Sequence, residues 1–251
     1  MRRSGVTART CVAGSSSVQP STRPSPATRY GCGPVPHGAG SSLSLCAVTD
    51  CVSPAGPSEN VVVTTTFSLG PEGLTQSVTA HNESDEPAPW GTGPHPYLVA
   101  GEGRVDGWTL ELPATQVLAV TPDRLIPTDL VAVDAEDPER FDFRSSRQIG
   151  AVEIDHAYSG LVRDADGNAT VRVTAPSGSG VEMSWDAACP WVQVHTADKP
   201  DAAQSRLGLA VEPMTCAPDA FNAGSYDYDA GLIVIEPAAS VTAAWRIGAI
   251  G

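Results

Sequence analysis

Long apolar runs are missing from this 251-residue chain: nothing approaches the ~18 consecutive apolar residues of a membrane helix. No segment keeps the i, i+3, i+4, i+7 stripe of an amphipathic helix, which excludes a helical bundle. Cationic side chains are also few, 15 Lys and Arg against 29 Asp and Glu, for a net charge of −14. A phosphate backbone needs Lys and Arg in numbers, so nucleic acid is excluded as a partner. The six cysteines form no C-x₂-C pair, which leaves a zinc-ribbon reading without its ligand spacing. His81, His95, His156 and His195 include no H-x-H or H-x₃-H pair that one strand or helix would need to present two metal ligands. No metal or other cofactor is expected. G-x-S-x-G is absent, and with it a serine hydrolase of the nucleophile-elbow type. Arg2 and Arg3 are followed by no apolar h-region or small-residue cleavage site, so the expected location is the cytoplasm.

What is present falls into two compositional parts. Residues 1–58 are built of Ser, Gly, Pro, Ala, Thr and Arg, with Leu43 to Val48 as the sole apolar patch. They hold five arginines (Arg2, Arg3, Arg9, Arg23, Arg29) against one acid, Asp50, and this net of +4 leaves −18 for residues 59–251. Cys11, Cys32, Cys46 and Cys51 lie here too. Such text cannot bury enough apolar surface to offset the entropy of ordering it, so disorder is expected over 1–58. Residues 59–251 form the second part, a single β domain.

From Val61 the pattern alternates. Val61, Val63, Thr65 and Phe67 share one face; Leu74, Gln76, Val78 and Ala80 share another beyond a turn at Gly70 to Gly73. Short strands are expected at Trp108–Leu112 and Gln116–Val120, loops over Thr121–Asp155, and a hairpin pairing Ala169–Ala175 with Val181–Asp186. Trp191–Thr196, Leu207–Glu212, Leu232–Glu236 and Val241–Ile247 complete the series. Strands at this spacing predict an all-β, antiparallel β-sandwich.

Two segments carry groups suited to proton transfer. In G-T-G-P-H-P-Y-L, His95 stands between Pro94 and Pro96; in L-A-V-E-P, Glu212 interrupts an apolar strand just before Pro213. Proline fixes φ and lacks an N–H, which places both groups at rigid strand-to-loop junctions. An imidazole and a carboxylate aimed at one ligand can serve as general acid and base. Trp191, Gln193 and His195 share a strand face opposite Val192 and Val194, a combination of indole, amide and imidazole that suits a sugar. Asp155, with His156 and Tyr158, is expected in a loop as a hydroxyl acceptor; Tyr97 adjoins His95.

G-x-H-P-Y at 93–97, D-H-x-Y at 155–158, W-V-Q-V-H-T at 191–196 and E-P-M-T-C-x-P-D-A-F-N at 212–222 occur in this order, and together they resemble the aldose 1-epimerase (mutarotase) family. The resemblance covers about residues 59–251 and implies the β-supersandwich of galactose mutarotase-like proteins. It implies His95 as general acid, Glu212 as general base and Asp155 as a sugar-hydroxyl ligand, with a small-molecule sugar as the partner; Gln193 and His195, from their strand face, and Tyr97, from its place beside His95, are expected as further substrate-binding residues. The family's early Asn-Arg segment is absent from residues 1–58, and His37-Gly38 stands in Pro/Gly/Ser surroundings unlike the family's His-Gly. This break predicts that residues 1–58 are foreign to the family's own sequence, as an out-of-frame reading of a GC-rich gene would be. It also leaves open impaired turnover and, as alternatives, a carbohydrate-binding protein without turnover or a hexose-6-phosphate epimerase, whose phosphate would look to Arg124, Arg144 or Arg206.

Overall fold

The computed structural model describes residues 6–9, 49–52, 60–135 and 137–251. In chain order the strands begin with β1 (Val6–Arg9), β2 (Thr49–Val52), β3 (Val61–Gly70), β4 (Gly73–Asn82), β5 (Ala88–Pro94) and β6 (Tyr97–Leu98). β7 (Thr109–Glu111), β8 (Ala114–Val120) and β9 (Pro127–Ala132) lead to one helical turn, α1 (Pro138–Phe141). β10 (Arg147–Gln148), β11 (Asp155–Leu161), β12 (Ala169–Thr174) and β13 (Gly180–Trp185) follow. The series ends with β14 (Trp191–His195), β15 (Leu209–Met214), β16 (Ile233–Ile235) and β17 (Ser240–Ile250).

These strands form an eight-stranded sheet in the order β1-β3-β4-β17-β13-β12-β7-β10, a six-stranded sheet β6-β15-β14-β11-β8-β9, and a small sheet β16-β5-β2. Every pairing is antiparallel. The alternation read from the sequence sets the facing of the strands. Gln76, Val78, Ala80 and Asn82 of β4 turn inward, as do Val192 and Val194 of β14 and Leu209 and Val211 of β15. Burying each such Val or Leu stabilises the sandwich by roughly 1.5–3 kcal/mol. Trp185 and Trp245 stand opposite each other on β13 and β17, and the Trp245 indole donates to Gln76 Oε1 at 3.2 Å, which satisfies a buried amide. Asn82 Nδ2 donates to the Glu86 and Ile235 carbonyls, fastening the end of β4 to the small sheet.

Three expectations need correction. Residues 155–158 are not a loop: β11 is an inner strand between β14 and β8. Its His156, Ala157 and Tyr158 are all buried, so both faces are covered and no alternation survives. The stretch Thr121–Asp155 is not all loop, since β9 forms a hairpin with β8, and β10 and α1 follow. β9 is an edge strand with only Pro127 fully buried, which leaves no apolar period to read. Glu212 lies inside β15 rather than at its end, and the strand runs on through Pro213. The Val211 N–H and the Thr215 N–H both point toward the β5–β6 side, to Pro96 and Thr92 carbonyls. Pro213 stands between them in the alternation, where its missing N–H removes no bond to β14. The expectation of disorder over 1–58 lies outside the described residues except at β1 and β2, which pair with β3 and β5.

Candidate active site

The outer face of the six-stranded sheet gathers the polar candidates in two adjacent rows. Tyr97, Ala210, His195 and Asp155 stand opposite one another across β6, β15, β14 and β11. In the next row Glu212 on β15 faces Gln193 on β14, which faces Ala157 on β11. His95 reaches this row from the two-residue link between β5 and β6. Its Nε2 lies 3.3 Å from Glu212 Oε1, with the carboxylate more enclosed than the ring, 14% against 34% exposed. The Tyr97 ring packs at a tilt on His95, centroids 5.0 Å apart.

Gln193 Nε2 donates to Asp155 Oδ1 at 2.7 Å, and His195 Nδ1 lies 3.7 Å from Asp155 Oδ2, an ion-pair distance too long for a hydrogen bond. His156, beside Asp155, faces the other way. Its Nδ1 accepts from the Asp155 N–H at 3.2 Å and its ring meets Phe141 edge-on. Burial holds this imidazole neutral, with its pKa lowered to about 4.

Next to the His95–Glu212 pair opens a cavity of about 390 Å³, lined on one side by β5 from Gly91 and on the other by Met214, Cys216 and the segment 217–221. Tyr97, Asp155, Gln193 and His195 lie outside its lining, on the adjoining sheet face. The glycines of the His95 segment have a defined use. A Cβ on Gly91 would sit 2.5 Å from Cys216 Sγ, and one on Gly93 would sit 2.9 Å from Met214 Cγ. Either Cβ would force Cys216 or Met214 to shift, and the two glycines let β5 close on β15 without that displacement.

Met214, Asp219 and Phe221 also line the cavity; all three belong to the 212–222 motif, from which the sequence assigned a role to Glu212 alone. Asp219 sits at φ +62°, a left-handed conformation that Asp tolerates. Its carboxylate accepts from Asn222 Nδ2 at 2.6 Å and from the Tyr226 hydroxyl, which it pushes up to about 12. These bonds fix the 3₁₀ segment Ala220–Ser225 over the cavity. Burial raises the Cys216 thiol pKa against an opposing bond from Thr215, so it is no activated nucleophile. Two of the three arginines considered for a phosphate are committed elsewhere: Arg144 to Asp134 and Asp142, Arg206 to Asp198 and Asp106. Among the described residues no three His, Cys, Asp or Glu side chains gather as metal ligands would.

An imidazole and a carboxylate 3.3 Å apart on a β-sandwich, beside a cavity of about 390 Å³, are placed to exchange protons with one small ligand. The aldose 1-epimerase family model matches residues 52–243, and the chain belongs to that family. Over 152 residues it is 36% identical to the Escherichia coli K12 protein YihR, an alignment covering 61% of this chain and 45% of that one. The chain thus matches just under half the length of this curated relative. A galactose mutarotase-like protein from Clostridium acetobutylicum superposes with a TM-score of 0.63 at 15% identity, over 85% of this chain and 65% of the other. The GalM/aldose epimerase homologue from C. elegans does so with a TM-score of 0.60 at 17% identity, over 82% and 66%. The fold is the β-supersandwich of galactose mutarotase-like proteins. No helix among the described residues is long and apolar enough to cross a membrane.

Proposed function

We propose that the chain is an aldose 1-epimerase that interconverts the α and β anomers of a free hexose in the cytoplasm, with His95 as acid and Glu212 as base. The observation that carries this reading is the 3.3 Å approach of His95 Nε2 to Glu212 Oε1 at the cavity wall. The reaction needs that adjacency, because the anomeric hydroxyl and the ring oxygen hang on the same carbon. Glu212 takes the hydroxyl proton, its electron pair becomes the second C1–O bond, and the bond from C1 to the ring oxygen breaks. The ring oxygen takes the proton of the His95 imidazolium. Rotation about C1–C2 turns the other carbonyl face to the open-chain hydroxyl. On reclosure the open-chain hydroxyl gives its proton back to His95 and the carbonyl oxygen takes the proton held by Glu212, so neither side chain is consumed and no cofactor enters. Each group in its charged form favours the charged form of the other, which helps acid and base coexist at one pH.

Asp155, Gln193, His195 and Tyr97 are assigned as ligands of the sugar hydroxyls, an array of acceptors and donors along the sheet face. A free sugar, rather than its phosphate, is favoured by the engagement of Arg144 and Arg206 with carboxylates.

The test is polarimetry of freshly dissolved α-D-glucose and α-D-galactose with purified protein. Faster relaxation to the same final rotation is expected, and Glu212→Gln should slow it by about 100-fold or more while sugar affinity persists. Sugar binding by folded wild-type protein with no acceleration would replace this reading with that of a carbohydrate-binding protein.

A further inference from the structure

β5 and β15 deliver the two candidate catalytic groups, yet the sheet ladders pair each of them with other strands. What fastens one to the other is a pair of buried threonines. The Thr92 N–H donates to Thr215 Oγ1 at 2.9 Å, the Thr215 N–H donates to the Thr92 carbonyl at 2.9 Å, and the Thr215 hydroxyl donates to that same carbonyl at 3.3 Å. Thr92 is 4% exposed and Thr215 2%, so water does not compete for these bonds. Thr92 precedes His95 by three residues and Thr215 follows Glu212 by three. The clamp is flanked by two close contacts in which a Cβ would displace its neighbour, Gly91 on Cys216 and Gly93 on Met214.

We propose that Thr215 is a positioning residue for proton transfer: its hydroxyl grips Thr92 on both its N–H and its carbonyl, and so sets His95 against Glu212. The proposal rests on the acid–base reading of that pair. Valine has the shape of threonine without the hydroxyl, and in its place the buried Thr92 N–H would lose this acceptor. β5 would then shift to find another, carrying His95 with it. Displacement of a reacting group by about 1 Å can cost roughly 100-fold in rate. Ground-state sugar contacts from Gln193, His195 and Asp155 stand on other strands and should be unaffected.

The experiment compares the full chain with Thr215→Val and Thr215→Ser, each first shown to be folded by circular dichroism and a cooperative melt. For α-D-galactose mutarotation, Thr215→Val should lose about tenfold or more in kcat with KM within about twofold, and Thr215→Ser should stay within about threefold of the wild type. A Thr215→Val enzyme within twofold of wild type in kcat overturns the proposal. So does a Thr215→Ser enzyme as slow as Thr215→Val, which would make the methyl group, not the hydroxyl, the determinant. A second readout is independent of turnover. The His95 ring resonances in NMR should respond to Glu212→Gln in the wild-type and Thr215→Ser backgrounds, and respond less in Thr215→Val. A wild-type protein without turnover would defeat the epimerase reading, while this coupling would still decide on the clamp. If Thr215→Val does not fold, Thr215→Cys takes its place, since a thiol of similar size is a weak acceptor and should impair kcat in the same way.

Discussion

Gln193 stands directly opposite Glu212 across β14 and β15. Its amide cannot turn freely, because Nε2 is held by Asp155 Oδ1 at 2.7 Å. The other end, Oε1, is buried without a hydrogen-bond partner among the described residues. A buried acceptor with nothing to accept is costly, so the orientation of this amide rests on Asp155.

The first prediction separates the two functions this leaves for Asp155. Asp155→Ala frees the Gln193 amide and should lower kcat/KM for mutarotation by about tenfold, the worth of one hydrogen bond to a charged group. Asp155→Asn keeps an oxygen for Gln193 and should lose about threefold or less if fixing the amide is its main part. Initial rates by polarimetry decide between them. An Asp155→Ala enzyme indistinguishable from wild type would remove Asp155 from the site.

His156 supplies a pH dependence. Its folded pKa of about 4 lies below the ordinary histidine value of 6.5, chiefly through burial, with Arg140 adding to the effect and Asp155 opposing it. Between those values the unfolded chain binds a proton that the folded chain does not, so stability falls as pH drops from 6.5 toward 4. The full effect is about 3 kcal/mol, at 1.36 kcal/mol for each pH unit. His156→Gln does not titrate there and can still accept from the Asp155 N–H. Urea unfolding between pH 4.5 and 7.5 should show a flatter curve for the variant, and parallel curves would contradict the assignment.

How much of this could be read from the sequence depended on what each strand faces. β4 and β14 have one buried and one more open face, so their alternation gave both their position and their facing. β11 is enclosed on both sides, and D-H-A-Y-S-G lacks the β-branched residues that would have marked it as a strand. β9 failed for the opposite reason, having too little buried surface to impose a pattern. In the candidate site, the prolines around His95 and the carboxylate in an apolar strand singled out the two side chains that the fold brings within 3.3 Å of each other. Their spacing could not be read, because it depends on Thr92 and Thr215, 123 positions apart, and on glycines whose purpose appears only when Met214 and Cys216 pack against them.

The last prediction concerns the loop that joins β14 to β15 and so carries the chain from His195 toward Glu212. Arg206 ties this loop down. Its guanidinium donates to Asp198 Oδ1 at 2.6 Å and to the carbonyls of Val152 and Gly150, and it lies 3.2 Å from Asp106. The side chain is 11% exposed, which places these bonds mostly out of reach of salt. Removing it strands a partly buried carboxylate and two carbonyls, so Arg206→Met should cost about 3 kcal/mol in urea unfolding. Asp198 reports the same network through pH. Burial raises its pKa, but bonds from Thr196 and Arg206 outweigh this and leave it lowered. Its contribution to stability is therefore complete above the ordinary carboxylate range and lost as pH falls below it, a portion of the acid limb that Arg206→Met should shrink. Arg172 is the control. It meets Glu111 and Glu182 across the eight-stranded sheet at 3.3 and 3.4 Å, but its side chain is 44% exposed. Arg172→Met should cost under about 1 kcal/mol, and less still in 1 M salt. Equal losses from the two variants would mean that the loop between His195 and Glu212 is not anchored through Arg206.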